Sequence, residues 1–577
     1  MKTPNPFIME ISRHIWETRY RAAGEADIRA SWRRVAQAIA QAEHAERDQW
    51  AERFYMLLEG FRFLPGGRIL AGAGTGRRVT LFNCFVMGEI ADDLEHIFEA
   101  LKEGALTMQH GGGVGYDFST LRPAGMVAAA TGSIASGPVS FMHIWDAMCA
   151  TMLSTGARRG AMMATLRCDH PDIETFVDAK RDPAVLRHFN LSLLVSDAFM
   201  AAVADDGDWP LVFPGFIDAR TVKARALWQR ILRAAYDTAE PGVLFVDAIN
   251  RDNTLGDIET LTATNPCGEI PLPPYGACDL GSLNLAAFVI APFAVDARLD
   301  FDALAESARL AVRFLDNVID VSRYPLPAQA EQAQHKRRVG LGLTGLADAL
   351  VLLGLRYDSD AARQLATRAM QVVRDAAYRA SIDLAREKGA FPAFARDAFL
   401  VSGFATRLPD DIRVAIAAHG LRNSHLLAIA PAGTISLLAN NCSSGIEPVF
   451  AATAERRVLQ TDGSYRTHSV SDYAMQLWQQ RGGAGAPPAF VEARQLDPLA
   501  HLLMQAALQP YVDNAISKTI NVAADMPFER FADLYRQAHA LGLKGCTVFR
   551  PNPITGAILS EPAAGRVQCC GIEREAD

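Results

Sequence analysis

The sequence predicts an α/β protein with one large core that follows a helical amino-terminal region. The chain has 577 residues, 50% hydrophobic and 21% charged, which is long enough to bury a large core. An alanine-rich and charge-rich helical pattern runs from Ile11 to about Phe63 and is broken by PGGR and AGAGTG, between Pro65 and Gly76. From about Val79 to Phe549, short apolar runs then alternate with helical stretches, which favours a barrel or a layered α/β core.

Each element of that alternation is read from its local pattern. The predicted strands are TLFNCFVM, HFNLSLLVS, GVLFVDA, HLLAIAP and GCTVF. The predicted helices are DLEHIFEALKEGALTMQ, DALAESARLAVRFLDNVIDVSRY and RQLATRAMQVVRDAAYRASIDLAREKG. The apolar segment VGLGLTGLADALVLLGL, from Val339, contains Asp348 and four interior glycines, so it is predicted as a buried helix and not as a membrane span. RGGAGAPPAF, from Arg481, predicts a loop.

Composition argues against several classes of protein. The formal net charge of −8 disfavours DNA or RNA as the main partner, because phosphate binding favours a basic face. The first residues, MKTPNPFIMEISRHIWETRYR, do not resemble a signal peptide. Nine cysteines without a CxxC pair indicate reduced cytoplasmic thiols and no structural zinc. We therefore expect a cytoplasmic protein with no membrane association and no metal bound by protein side chains.

The segment from Asn265 to Leu285, NPCGEIPLPPYGACDLGSLNL, is the most informative. In an extended chain Asn265, Cys267 and Glu269 project from one face, so a thiol lies between an amide and a carboxyl group. The prolines and glycines around them indicate a stiff loop. An isolated cysteine is ordinarily a small buried hydrophobe, and that is our prediction for four others: Cys149, Cys168, Cys442 and Cys546. The polar neighbours of Cys267 predict a chemical role instead.

Two small-residue segments are candidates for ligand contact. PAGTIS, from Pro431, follows a predicted strand, and its backbone N–H groups could point at an anion from the start of a helix. Gly113, in the GGGVG run, fits a place where a ligand passes close to the backbone. Taken alone, the first segment is more often only a tight connection, and Gly113 is equally readable as part of a bare turn.

NPCGEI followed by GACDLGSLNL resembles the active-site loop of ribonucleotide reductases, and particularly that of their cobalamin-dependent class. The resemblance continues, in the same order, through LFNCFVMGEI, HGGGVGYDFSTLRPAG, GARRGAMMATLRCDHPDIETFVDAK, RRVGLGLTGLADAL, APAGTISLLANNCSSGIEPVF, VDNAISKTINV and GLKGCTVFRPNP. It implies a ten-stranded α/β barrel with a central active-site loop near residues 265–278. The expected domains are a helical region, 1–78, the catalytic barrel, 79–551, and a flexible tail, 552–577.

The resemblance implies a role for each thiol. Cys267 matches the cysteine that becomes a thiyl radical and takes a hydrogen atom from C3′ of the ribose, with Glu269 as general base and Asn265 holding substrate hydroxyls. Cys84 and Cys278 match the pair that supplies two reducing equivalents and ends as a disulfide. The implied substrate-binding residues are Asn83, Gly113, Asn265, Pro431, Ala432, Gly433, Thr434 and Ile435. The implied product is a 2′-deoxyribonucleotide for DNA synthesis and repair.

The sequence also indicates how the thiyl radical would be generated. Reductases that import the radical from a second subunit use two adjacent tyrosines, but the matching segment, Gly545 to Phe549, contains no tyrosine. The glycyl-radical class needs zinc-binding cysteine pairs, which the chain lacks, although GRVQCCGIE has a passing likeness to its glycine motif. By elimination, and because NPCGEI and GLKGCTVFRPNP resemble the cobalamin-dependent class, adenosylcobalamin is the expected cofactor. Without a DxHxxG pattern, no histidine is expected to coordinate the cobalt.

Family resemblance further implies a homodimer with a nucleotide effector at its interface. The matching segments run from Arg122 to Ser136 and from Gly156 to Cys168, and the second contains three arginines: Arg158, Arg159 and Arg167. Asp92 and Arg122 are the predicted effector contacts, with a solvated surface charge as the alternative. The amino-terminal region lacks the features of an ATP-sensing domain, so overall on/off control by ATP and dATP is not expected.

Reduction of the active-site disulfide needs a dithiol or a thioredoxin-like protein. Cys569 and Cys570 on the tail could relay the reducing equivalents to this disulfide, but adjacent cysteines form a strained ring. Both possibilities, that the tail takes part in the reduction and that it does not, therefore stay open. Diphosphate substrates are favoured over triphosphates. Three other classes stay open: a subunit-dependent reductase, a different glycyl- or thiyl-radical enzyme on the same barrel, and a non-catalytic nucleotide-binding regulator.

Overall fold

The computed structural model describes residues 5–127, 132–152, 161–182, 184–216, 220–459 and 465–551, together with the backbone of 559–560 and 567–568. Two groups of predicted residues lie outside this description. They are Arg158 and Arg159 of the second effector segment and Cys569 and Cys570 of the tail.

The amino-terminal region is built from short helices. They are α1 (Glu10–Ile15), which continues into a π-helical turn (Trp16–Tyr20), α2 (Ile28–Ile39), α3 (Arg47–Leu58) and α4 (Gly67–Gly72). The Asp27 side chain caps α2 by accepting from the backbone N–H of Ala30. Trp32 is buried on α2 and packs edge to face against Phe61. Helix α4 occupies part of the glycine-rich segment that the sequence predicts as a break.

The described residues contain twenty strands, numbered here in chain order. They are β1 (Phe63–Pro65), β2 (Cys84–Val86), β3 (Gly113–Asp117), β4 (Met162–Arg167), β5 (Phe189–Val195), β6 (Asp208–Leu211), β7 (Arg220–Lys223), β8 (Gly242–Phe245), β9 (Ala263–Thr264), β10 (Pro271–Leu272), β11 (Ala277–Asn284), β12 (Val289–Ile290), β13 (Arg298–Leu299), β14 (Val339–Thr344), β15 (Thr453–Leu459), β16 (Tyr465–Ser471), β17 (Thr519–Asn521), β18 (Gly545–Phe549), β19 (Leu559–Ser560) and β20 (Val567–Gln568).

The large sheet consists of two parallel halves that run in opposite directions. One half contains β2, β3, β4, β5 and β8, all parallel. The other contains the parallel pairs β17–β18 and β11–β14, and it meets the first half through the antiparallel pairs β8–β18 and β2–β11. The extended segment 425–429 connects the remaining ends, bridging Leu341 of β14 at Leu427 and Ile516 at Ile429. Ten extended segments thus form a ring, with β1 paired to the other edge of β11.

The remaining helices mostly cover the outside of this ring. They are α5 (Leu94–Gln109), α6 (Pro138–Thr151), α7 (Ile173–Asp178), α8 (Asp197–Asp205), α9 (Ala224–Thr238), α10 (Val246–Asp252), α11 (Phe301–Val321), α12 (Pro327–Lys336), α13 (Leu346–Leu352), α14 (Asp360–Lys388), α15 (Arg396–Val401), α16 (Asp410–His419), α17 (Gly433–Leu438), α18 (Tyr473–Gln480), α19 (Pro498–Leu508) and α20 (Phe528–Ala540). The three long helices read from sequence patterns are present as α5, α11 and α14.

The prediction of one buried helix from Val339 is wrong for its first half. Residues Val339–Thr344 form strand β14, and only Leu346–Leu352 is helical. A side chain at Gly342 would overlap the carbonyl oxygen of Ala428, so alternating glycines let the neighbouring segment approach. Gly345, in the left-handed conformation, then separates strand from helix. In the part of the chain that the structure describes, every helix is too short or too polar to cross a membrane.

Candidate active site

The NPCGEI segment forms the turn of a short hairpin inside the ring. Strands β9 and β10 pair antiparallel, with Thr264 opposite Pro271, and residues 265–270 connect them. The Asn265 side chain closes this turn by accepting from the Ile270 backbone N–H at 3.0 Å. Gly268, at φ 84°, takes the left-handed conformation that its turn requires. We call residues 265–270 the finger loop.

Glycines of β3 allow the finger loop to lie against the sheet. A side chain at Gly115 would overlap the carbonyl oxygen of Thr264. A Cβ at Gly113 would lie 3.2 Å from Cγ of Pro266. The GGGVG run therefore receives the loop that carries Cys267, and Gly113 contacts that loop.

Cys84 and Cys278 lie directly opposite each other on neighbouring strands. They are 194 positions apart in sequence, yet they are register partners in the antiparallel pair β2–β11. Opposite residues in such a pair have Cβ atoms about 4.5–5.5 Å apart, close to the separation of about 3.5–4.5 Å found in disulfides. Both side chains are fully buried. The fold thus brings together the two thiols that the sequence separates.

Burial keeps both of these thiols protonated. It raises the pKa of Cys84 well above its ordinary value, and the nearby charges of Glu269, Cys278 and Cys267 raise it further. Burial also raises the pKa of Cys278 well above its ordinary value, with Asp279 as the next cause. At neutral pH the pair therefore holds two S–H groups.

Asn265 and Glu269 both reach Cys84. The Asn265 Nδ2 donates to the Cys84 sulfur at 3.2 Å, and the Cys84 thiol lies 3.7 Å from Oε1 of Glu269, which accepts from it. Asn265 and Glu269 are buried, whereas Cys267 at the tip is half-buried. Asn265 and Glu269 thereby connect the finger loop to the buried thiol pair, and Cys267 is the accessible cysteine of this group.

A small cavity of about 20 Å³ lies on one side of the finger loop. Cys267 and Glu269 form one wall. Asn83, Pro431 and Ile435 from the predicted substrate-binding set also line it. The backbone N–H of Ala432 donates to the Ser444 hydroxyl at 2.7 Å, and helix α17 starts one residue later.

Cys267 also lines a second and larger cavity of about 270 Å³. A carboxylate, Glu447, lies in its wall and accepts from the Lys518 ammonium and from the backbone N–H of Thr519. Lys518 also contacts Nδ1 of His501, whose pKa is held well below its ordinary value by burial and by the Lys518 charge. No histidine is among the described residues that line this cavity. Cys546 and Thr547 of β18, in the segment that contains no tyrosine, do line it.

The predicted effector residues bind each other. Arg122 Nε donates to a carboxylate oxygen of Asp92 at 2.6 Å, and the Arg122 backbone N–H donates to the other oxygen at 3.1 Å. Asp92 immediately precedes Asp93, the N-cap of α5. Arg167 pairs with Asp169 at 2.9 Å.

Two residues of the site were missed by the sequence analysis. Asn190 donates from its side chain to the carbonyl oxygen of Pro266 at 2.8 Å and so supports the finger loop from β5. Its signal was a polar residue inside the apolar run HFNLSLLVS. Glu447 carried no local signal, because its role depends on Lys518, which lies 71 positions away.

These features define a class: a thiol-dependent α/β-barrel enzyme with three clustered cysteines around a finger loop. Two family models match the chain, "Ribonucleotide reductase, all-alpha domain" over residues 7–78 and "Ribonucleotide reductase, barrel domain" over residues 82–549. The chain belongs to the ribonucleotide reductase family. Its α/β barrel with a helical amino-terminal region and its activity as an oxidoreductase acting on ribonucleotides are thereby confirmed.

Curated relatives agree with this assignment. A vitamin B12-dependent ribonucleoside-diphosphate reductase of Mycobacterium tuberculosis is 42% identical over 559 residues, covering 92% of this chain and 76% of the relative. A protein of the same name from Thermoplasma acidophilum is 36% identical over 544 residues, covering 91% of this chain and 68% of the relative. The ribonucleoside-diphosphate reductase large subunit of vaccinia virus is 29% identical over 444 residues, covering 70% and 57%.

Proposed function

We propose that this chain reduces ribonucleoside diphosphates to 2′-deoxyribonucleoside diphosphates, with adenosylcobalamin as its source of radicals. The observation that carries the proposal is the position of Cys267 between two cavities, above the opposed thiols Cys84 and Cys278. The names of the relatives at 42% and 36% identity support both the diphosphate substrate and the cobalamin.

The substrate is proposed to lie between the finger loop and the segment 431–435, where the small cavity marks the gap beside Cys267 and Glu269. There the Cys267 thiyl radical takes the hydrogen atom from C3′ of the ribose, and Glu269 accepts the proton of the 3′ hydroxyl. Asn265 and Asn83 hold hydroxyl groups in register, and Gly113 keeps the finger loop close to β3. The substrate phosphates would lie along the segment from Pro431 to Ile435. The small residues Ala432, Gly433 and Thr434 leave room for them there. Pro431 and Ile435 line the same cavity as Cys267, which supports a phosphate segment beside the finger loop.

The thiol pair completes the reduction. One S–H group protonates the departing 2′ hydroxyl, which leaves as water, and the two sulfurs together supply two electrons and form a disulfide. The C3′ position then recovers its hydrogen atom from Cys267. A dithiol or a thioredoxin-like protein then supplies the electrons that reduce this disulfide. Cys569 and Cys570 are proposed to relay those electrons.

The larger cavity is proposed to receive the part of the cofactor that faces Cys267. When bound, adenosylcobalamin supplies the radical chemistry that removes the hydrogen atom of the Cys267 thiol. Cys267 lines this cavity, and Glu447 offers carboxylate oxygens, anchored from behind by Lys518, to amide and hydroxyl donors. The side chains described in this lining would hold the cofactor by hydrogen bonds and packing.

We also propose a cytoplasmic homodimer that binds an effector nucleotide at its interface. Helix α5 exposes three large apolar side chains to solvent, Leu94 by 62%, Phe98 by 50% and Leu106 by 36%. Such a row on one helix is typical of an interface. The Asp92–Arg122 pair at the start of α5 supports an effector contact beside it. We further propose that the helical region ends at residue 78 and that the catalytic barrel ends at residue 551.

The test is a turnover assay with purified protein, adenosylcobalamin, a dithiol and CDP. We expect deoxycytidine diphosphate from the unaltered chain, and none from Cys267→Ser, because an O–H bond is too strong to serve as the hydrogen donor. Cys149→Ala is the matched control, since Cys149 is buried on α6 and lines neither cavity, and it should keep its turnover. Turnover that persists in Cys267→Ser, or that requires a second protein in place of cobalamin, would contradict the proposal.

A further inference from the structure

A basic groove lies in the amino-terminal helical region, outside the barrel. Three segments line this open groove, whose volume is about 730 Å³: the loop 21–25, helix α2 and the glycine-rich stretch 71–77. Its lining contains four arginines and one glutamate. In a chain with a formal net charge of −8, this is a local concentration of positive charge.

The floor of the groove is cross-linked by hydrogen bonds and is electrically neutral. Arg34 donates to Glu25 at 2.7 Å and to the backbone carbonyl oxygens of Tyr20 and Leu70 at 3.2 and 3.1 Å. Glu25 also accepts from the Ser31 hydroxyl at 2.6 Å and from the Ala22 backbone N–H at 2.7 Å. This network holds the three segments together, and the charges of Arg34 and Glu25 offset each other.

The other arginines lie at the rim of the groove, and aromatic rings orient two of them. The Arg21 guanidinium lies over the Trp16 ring at 5.2 Å, and that of Arg33 lies over the Tyr55 ring at 4.5 Å. The Arg21 Nε also donates to the backbone carbonyl oxygen of Glu25 at 2.8 Å. An aromatic ring below a guanidinium fixes its plane, and the terminal N–H groups stay available to a ligand. Among the described residues, one ion pair lies on this rim, from Arg33 to Glu52, and it is long at 3.6 Å and exposed.

Arg77 completes the rim. It is exposed and forms no ion pair or hydrogen bond with any residue in the described ranges. The neighbouring Gly76, and Gly24 across the groove, have no atoms within 4 Å of the position that a Cβ would take. Backbone at both edges is therefore open to a ligand that approaches closely. Arg21, Arg33 and Arg77 thus surround one accessible space.

We propose that this groove binds the polyphosphate group of a small anion, either free or attached to a nucleoside. Planar guanidinium groups with paired N–H donors match phosphate oxygens in geometry as well as in charge. The volume falls within the range of about 300–1,000 Å³ that is usual for small-ligand sites. The site is independent of the barrel cavities and of the proposed reaction.

The test measures binding of inorganic tripolyphosphate and of ATP to the full chain by calorimetry. The variant Arg21→Ala/Arg33→Ala/Arg77→Ala should lose one site per chain or bind there at least about tenfold more weakly, because each lost guanidinium removes charge-assisted hydrogen bonds. Arg78→Ala is the matched control, since Arg78 is the exposed next residue and does not line the groove. An unchanged Tm in both variants shows that folding is preserved.

The two anions distinguish the source of the phosphate. Similar affinities indicate that polyphosphate alone is recognised, whereas much tighter binding of ATP indicates a nucleotide. Raising salt from about 50 to about 200 mM should weaken either complex, because the rim arginines are exposed. Failure of both anions to bind, or binding that is equal in the triple variant and the unaltered chain, would overturn the proposal. Either result leaves the CDP assay unaffected.

Discussion

Burial alone does not separate the reactive cysteines from the structural ones. Cys149 and Cys168 are buried like Cys84, and burial raises the pKa of each of these two thiols to about 12. What distinguishes Cys84 is its set of neighbours, because Asn265 donates to its sulfur and Glu269 accepts from it. At the residue scale, the site is defined by hydrogen-bond partners and register.

The raised thiol pKa values predict a dependence of stability on pH. The ordinary thiol pKa is about 8.5, whereas Cys84 and Cys278 stay protonated well above it in the folded chain. Their contribution to stability is therefore complete below about pH 8.5 and is lost as pH rises above it, since only the unfolded chain then releases those protons. The free energy of unfolding should fall with pH by up to about 1.4 kcal/mol per unit for each thiol.

Urea denaturation between about pH 8 and 10 measures this effect. In the double variant Cys84→Ser/Cys278→Ser, which lacks both titrating groups, we expect a shallower decline than in the unaltered chain. Parallel curves for the two proteins would show that the thiols titrate alike in the folded and unfolded states.

At the scale of elements, the finger loop owes its position to strand β3. Gly115 has no room for a side chain, because the carbonyl oxygen of Thr264 occupies that space. Asn265 follows Thr264 directly, so any displacement there passes to Cys84 through the Asn265 amide. A glycine outside the active site thus controls the geometry inside it.

Gly115→Ala tests this dependence. Overpacking between two backbones should cost about 1–3 kcal/mol of stability, measured by denaturant unfolding. The deoxynucleotide yield should fall by more than the loss of folded protein explains. Gly256→Ala is the control, because its nearest neighbour would lie at an ordinary 3.5 Å. Equal activity and stability in the two variants would mean that the loop does not depend on β3.

At the scale of the whole molecule, α5 has an apolar row that its own chain leaves exposed. Leu94, Phe98 and Leu106 would be covered in the proposed homodimer. Phe98→Glu places a charge in that row and should shift the protein toward monomer in analytical ultracentrifugation, since burying an unpaired carboxylate is costly.

Val401→Glu is the matched control for this change. Val401 is exposed by 77% on α15, away from the row, so its replacement should leave the sedimentation unchanged. A monomer that forms equally in both variants, or in the unaltered chain, would contradict the dimer proposal.

Local pattern was sufficient for much of the site. A thiol flanked by an amide and a carboxyl group in a Pro/Gly-constrained loop was readable from NPCGEI, and the long helices α5, α11 and α14 were readable from their periodicity. Both depend on interactions between residues near in sequence. The same local reading failed for β14, because the apolar run from Val339 carries no information about its neighbours.

Tertiary structure decided what local pattern could not. The register that sets Cys84 opposite Cys278, the ion pair between Asp92 and Arg122, and the lining of the basic groove all join distant segments. Sequence by itself determined which chemical groups are available and how each short segment prefers to fold. Which groups meet was decided by strand pairing and packing across the whole core, since those contacts form only when distant strands become neighbours.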